Sequence, residues 1–167
     1  DDRQRDDARA SIQKALTVNP NSLEAHALVV AIAFLEARTD DFEAGVATAL
    51  ALNPVYGDVY RVAGDHAARN YRFDEAVELT RRALEIDAAS TRANADLGMH
   101  LLRTGDEADA RRSLEAAFDE DPYDIVTFNL LAMLDTVDTF ETFHDGDLVV
   151  RLHPDEAGVM HEHVLSL

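Results

Sequence analysis

The chain has no cysteine, no tryptophan, a single lysine (Lys14), four prolines and seven glycines among 167 residues. Each shortage excludes something. Without cysteine there is neither a disulfide nor a thiolate metal site, but cysteine-free chains occur in reducing and oxidising compartments alike, so none is chosen. Few prolines and glycines leave little material for long loops. Long apolar runs are missing too: the most apolar stretch, residues 25–37, contains His26 and Glu36 and is short for a membrane span. Positive charge is scarce, with 15 Lys and Arg against 33 Asp and Glu, a net charge of −18. A phosphate backbone would be repelled, so general nucleic-acid binding is excluded and a cationic or neutral partner is easier to accommodate. No initiator methionine or signal peptide opens the chain; DDRQRDDARA reads as a start partway through a larger protein.

What is present is apolar periodicity. Hydrophobic residues make up 47% of the chain, enough for one substantial helix-rich domain. Residues 57–88 read as a helical hairpin, with Val59, Ala63, Gly64 and Ala67 on one helix, a break at 70–72, then Ala76, Ala83, Leu84 and Ile86 at helical spacing. A hairpin this small cannot bury its own apolar stripe and needs neighbours of the same kind. They recur at a fixed interval: Asn19-Pro20, Asn53-Pro54, Asp87-Ala88 and Asp121-Pro122 end successive units 34 residues apart.

A helix-turn-helix period of that length resembles the tetratricopeptide repeat, over most of the chain. The resemblance implies an all-α, right-handed helical solenoid of about four repeats, acting as a non-enzymatic protein-interaction scaffold. The repeats are expected over residues 1–137, the first incomplete and the second irregular. Residues 6–20 are a second helix, and part of its apolar face should be under-covered. Residues 22–38 form the next first helix, with Ser22 as cap, and 42–52 its partner. Ala44 lies ten residues before Pro54, whereas Ala8, Ala76 and Ala110 lie twelve before their unit ends, which predicts a longer first helix and a shorter second one. In the third and fourth units, Gly64 with Ala76 and Gly98 with Ala110 bring paired helices close. Thr104-Gly105-Asp106 forms a turn with a left-handed glycine and an aspartate cap.

Residues 123–136 read as a fifth first helix with no second helix after it. Instead, residues 139–152 flank Asp145-Gly146, a hairpin signal that sets Phe143 against Leu148 and Glu141 against Val150. A helix then starts at Asp155-Glu156 and bears Ala157, Met160 and Val164. Residues 138–167 are therefore expected to be a β-hairpin plus helix, leading into a following domain. The junction FETFHDGDLVVRLHPDEAGVM resembles the segment that joins repeat arrays to a gluzincin-type zinc metallopeptidase domain in some large bacterial proteins. That resemblance implies a second reading, a substrate-presenting or regulatory arm with the catalytic domain beyond Leu167. The His-Glu-x-x-His helix of such a domain is not in these residues.

Candidate chemistry is sparse. His161-Glu162-His163, with His153 and Asp155, offers metal-ligand residue types, but two-residue spacing points to different helix faces, so these read as ordinary exposed residues. His26, His66 and His100 have no nucleophile motif near them and read as packing or surface residues. Paired carboxylates such as Asp40-Asp41 and Asp74-Glu75 begin second helices and suit the helix dipole. No catalytic residue, metal or cofactor is expected.

The partner-binding residues follow from the resemblance. In such arrays the first helices line the concave face, which implies Asp58, Arg61, Asp65, Ala68 and Arg69, then Arg92, Ala95, Met99, Leu102 and Arg103, with Val126, Asn129 and Met133 beyond. Arg61, Asp65, Arg69, Arg92, Met99, Arg103, Asn129 and Met133 are the chosen set for a protein or peptide ligand. The family's carboxylate clamp uses Lys and Asn, and Lys is absent from these positions. The same residues also suit internal ion pairs, Arg61–Asp65–Arg69 and Arg92–Asp96, and the sequence leaves both readings standing.

Overall fold

The computed structural model describes residues 2–146 and 148–165, with side chains for 6–144, 146, 148–160, 163 and 164. They form helices α1 (Asp2–Val18), α2 (Leu23–Leu35), α3 (Thr39–Leu52), α4 (Asp58–Arg69), α5 (Phe73–Ile86), α6 (Thr91–Thr104), α7 (Glu107–Glu120) and α8 (Ile125–Asp138). Strands β1 (Glu141–Asp145) and β2 (Leu148–Leu152) and helix α9 (Pro154–Leu165) follow. The chain divides into two compact units, Asp1–Pro122 and Tyr123–Leu167.

In the first unit the helices pair as hairpins, α2 with α3, α4 with α5 and α6 with α7, and α4 also packs on α2. Each turn is set at the same repeat position. Ala37, Tyr71 and Gly105 are the residues with φ of 55°, 60° and 86°. Next to them the N–H groups of Arg38, Arg72 and Asp106 bond back to the carbonyls of Ala33, Ala67 and Leu101 at 2.9 to 3.0 Å. This is the six-to-one closure that ends a helix in a left-handed residue. Ser22 and Ser90 cap α2 and α6 by accepting from the Ala25 and Ala93 N–H groups, and Asp106 caps α7 through Asp109 N–H.

The core consists of small residues at the helix crossings. Ala63, Ala67, Ala76 and Ala110 have no exposed surface, and Leu114, also fully buried, lies where a Cβ on Gly98 would come within 2.5 Å of its Cγ. The same test at Gly64 meets Thr80 Oγ1 at 2.8 Å and the Ala76 carbonyl at 3.2 Å. These close approaches are those expected of Gly64 and Gly98.

The second hairpin corrects the expected lengths. α2 has 13 residues and α3 has 14, as long as α5 and α7, so the repeat is not stretched. The twelve-residue step to Pro54 holds with Phe42, 6% exposed, at the position Ala76 and Ala110 occupy elsewhere. Val30 stands where Gly64 and Gly98 do, and the space is made on the other helix: a Cβ on Gly45 would meet Val30 Cγ2 at 2.8 Å. Large and small have changed sides of the crossing. Phe42 also continues an aromatic series, 5.7 Å from Phe34 and 6.1 Å from Tyr60 between ring centroids. The guanidinium of Arg72 lies 4.4 Å from the Phe34 centroid and that of Arg82 lies 4.2 Å from Tyr60's. Both distances suit cation–π attraction.

On α1, Ala8 and Ala15 are exposed and Ile12 and Leu16 half-buried, so the face that its counterparts bury is under-covered, as the sequence predicts. A cleft lined by Arg9, Ile12, Val29, Ile32 and Glu36 separates it from α2.

The second unit begins with α8, capped by Asp124, which accepts from the N–H groups of Val126 and Thr127 and from the Thr127 hydroxyl at 2.5 Å. The hairpin forms, but its pairing differs from the expected one: Phe143 faces Val150, Glu141 faces Leu152 and Asp145 faces Leu148. Asp145 is therefore paired within the strand and is not a loop residue, and the turn opens at Gly146 with a left-handed φ of 56°. α9 packs on both strands and buries Ala157.

Candidate functional site

The expected first-helix residues of α4 and α6 lie on neighbouring helices of one unit. A side-chain bond joins them directly: Arg61 Nη1 donates to Asp96 Oδ2 at 2.9 Å, from α4 to α6. Arg61 also donates to Asp58 on its own helix. Its side chain is only 17% exposed. Burial alone would lower the guanidinium's proton affinity, but the two carboxylate bonds outweigh it and raise it, so Arg61 stays charged. Burial, the largest influence, raises the proton affinity of Asp96, and the charge-assisted bond from Arg61 opposes it without cancelling it.

Of the three internal pairs the sequence suggests, one forms as expected. Arg69 donates to Asp65 at 3.0 Å, as expected, with Arg69 71% exposed. Arg61 does not use Asp65, and Asp96 is taken by Arg61 and not by Arg92. Among the described residues no ion pair holds Arg92, which is exposed. Arg103 is exposed as well and rests 5.2 Å from the Phe73 ring centroid. Met99 is half-buried between these arginines on α6. Asn129 and Met133 are exposed on α8 of the second unit.

His100, read from the sequence as a packing or surface residue, is a packing one. It sits one helical turn after Asp96, is 3% exposed, and among the described residues neither ring nitrogen has a hydrogen-bond partner. Burial lowers its proton affinity, while Asp96 and Asp65 raise it and Arg103 lowers it further. Nothing in the sequence marks it, because its partnerless state depends on packing between helices. His26, by contrast, reaches the Pro20 carbonyl at 2.8 Å and simply ties a turn. The side chains of His161 and Glu162 lie outside the described residues, so the His161-Glu162-His163 reading has no structural counterpart to compare. His153 lies 3.6 Å from Asp155.

Comparison with known proteins places this geometry. Residues 67–134 match the tetratricopeptide repeat family model. No curated protein matches by sequence. Among solved structures, MamA is 16% identical with a TM-score of 0.53, covering 74% of this chain and 72% of its own. PilF of Pseudomonas aeruginosa is 22% identical with a TM-score of 0.55, covering 77% of this chain; this chain spans 59% of that one. The first tetratricopeptide repeat domain of Spaghetti (RPAP3), bound to the HSP90 peptide SRMEEVD, is 16% identical with a TM-score of 0.51, covering 65% of this chain and 90% of its own. The helical array of this chain therefore has the tetratricopeptide-repeat fold, and residues 67–134 bear that family's sequence signature.

Proposed function

We propose that the chain is a non-enzymatic scaffold that holds a peptide or an extended segment of a partner protein against the first-helix face of α4 and α6. The observation that supports it most is the division of labour among the arginines. Arg61 is fixed by two carboxylates and joins the helices, while Arg69, Arg92 and Arg103 remain exposed on them. A strongly acidic chain keeps these cations together on one pair of helices, and guanidinium suits forked bonds to carboxylates and peptide carbonyls. Met99 beside them offers an adaptable apolar contact. A protein of the same fold was solved with a peptide bound.

The test is selection of binders from a peptide library at low and moderate salt, then measurement with Arg69→Ala/Arg103→Ala. Salt-sensitive binding weakened by the double substitution supports the reading. Binding that survives it intact places the site elsewhere. The protease-arm reading rests on a different observation, the replacement of a fifth second helix by the hairpin and α9. A His-Glu-x-x-His helix in sequence following Leu167 of the parent gene would support it.

A further inference from the structure

His100 is a titratable group placed where it can do nothing in its neutral form. Both ring nitrogens are buried without partners among the described residues, so one N–H lacks an acceptor there and one lone pair lacks a donor. The charged groups acting on it are Asp96 and Arg103 of its own helix and Asp65 of α4; those of α5 and α7 are not among them. Asp96 and His100 are four residues apart on α6, the spacing at which side chains on one helix face meet. Asp96 is already committed, because it accepts the only described hydrogen bond between the side chains of α4 and α6, from Arg61.

We propose that His100 is a proton-operated release for Arg61: a proton taken from water by the imidazole draws the Asp96 carboxylate away from the guanidinium and frees it on the first-helix face. A buried imidazolium has two donors and no acceptor, so it must find a carboxylate or leave the interior. Asp96, one turn away on the same helix, is the carboxylate whose spacing brings it to His100, whereas Asp65 lies on α4. Arg61 then keeps only Asp58, which is on its own helix, and the tie across to α6 is lost. The first-helix face would present the Arg61 Nη groups, still tethered to Asp58 through Nε, in mildly acidic conditions, and the two first helices would be less firmly joined.

This assignment rests on the groove reading for its biological meaning, but its test does not use peptide binding. The whole chain is titrated from pH 7.5 to 4.5 by NMR, following the His100 imidazole, the Asp96 carboxyl carbon and the Arg61 Nε–Hε signal. The expected result is a His100 midpoint below its ordinary value of about 6.5, an Arg61 signal that moves with the same midpoint, and an Arg61 signal that stays put in His100→Gln. Three results overturn the proposal: protonation of His100 with Arg61 unmoved, protonation of Asp96 before His100, or melting of the whole unit in step with His100. The groove reading fails separately, in the peptide selection at pH 7.5 where His100 is neutral.

Discussion

Replacing Gly98 by alanine sets two effects of known size against each other. In a helix interior, alanine is favoured over glycine by about 1 kcal/mol. Against that, the added Cβ would lie 2.5 Å from Leu114 Cγ, 2.8 Å from its Cδ2 and 3.1 Å from the Ala110 carbonyl oxygen. Carbon atoms in good contact sit about 3.5–4.0 Å apart, so Leu114 must retreat by about 1 Å. It has no exposed surface and nowhere to go without moving α7. Overpacking of this kind costs about 1–3 kcal/mol, and a fully enclosed branched side chain next to a fixed carbonyl belongs at the upper end. Taking the upper end, about 2–3 kcal/mol, less the helix-propensity gain of about 1 kcal/mol, the net expectation is destabilisation by about 1–2 kcal/mol. Urea unfolding followed by circular dichroism measures it. The decisive control is the same change in a Leu114→Ala background, where the Leu114 clash is gone and helix propensity is opposed only by the 3.1 Å approach to the Ala110 carbonyl oxygen. There Gly98→Ala should range from neutral to stabilising by up to about 1 kcal/mol. A penalty that persists in that background, or an increase in stability in the wild-type background, would refute the reasoning.

Thermal melts should show Gly105→Ala lowering stability by about 1–2 kcal/mol, because φ of 86° is a left-handed conformation, while Ala37→Gly at the equivalent turn position gains up to about 1 kcal/mol. Asp124→Ala should cost about 1 kcal/mol in denaturant unfolding by removing the α8 cap. The Thr127 hydroxyl bond, with two backbone N–H bonds, holds the Asp124 carboxyl below the ordinary value. Its contribution is therefore full above the unfolded value and disappears as pH falls through the lower folded one. For His100 the folded value is the depressed one for a base, so the unfolded chain binds the proton first. Stability is lost as pH drops below about 6.5 toward the folded value, and melts of wild type and His100→Gln at pH 7.5 and 5.5 should differ by that loss. Arg61→Ala should destabilise the first unit by leaving Asp96 without its partner, whereas Arg92→Ala should stay within about 0.5 kcal/mol, as exposed surface changes do.

The 34-residue period was legible because unit ends are chemically loud: Pro after Asn or Asp stops a helix wherever it occurs, and small residues at crossings repeat with it. The turns were half legible. Gly105 announces a left-handed residue, but Ala37 and Tyr71 take the same conformation without any glycine to mark it. The second hairpin departs from its expected lengths because Phe42 stands where the other units have Ala; only the pair Val30 and Gly45, 15 residues apart, shows why a large residue fits. At the β-hairpin, Asp145-Gly146 favours one loop, whereas strand pairing sets another, one residue later. For the candidate site, residue types on α4 and α6 could be chosen, but the Arg61–Asp96 bond joins residues 35 apart and its competitors, Asp65 and Arg92, suit the same chemistry. Which carboxylate wins is settled by helix placement, and that is not encoded in local spacing.

The exchange of large and small residues across the α2–α3 crossing limits how this array can vary. The α4–α5 and α6–α7 hairpins share one convention, glycine on the first helix against alanine on the second, so a first helix from one can meet a second helix from the other. The α2–α3 hairpin follows the opposite convention. A first helix bearing Val30 placed against Ala76 and Thr80 would collide, and α3 placed against Gly98 would set Phe42 where Ala110 now fits. Recombination between hairpins can therefore shuffle or duplicate the later units, while the earlier one is inherited only as an intact pair. Any lineage that lengthens this array by repeat duplication should draw its new units from the later part.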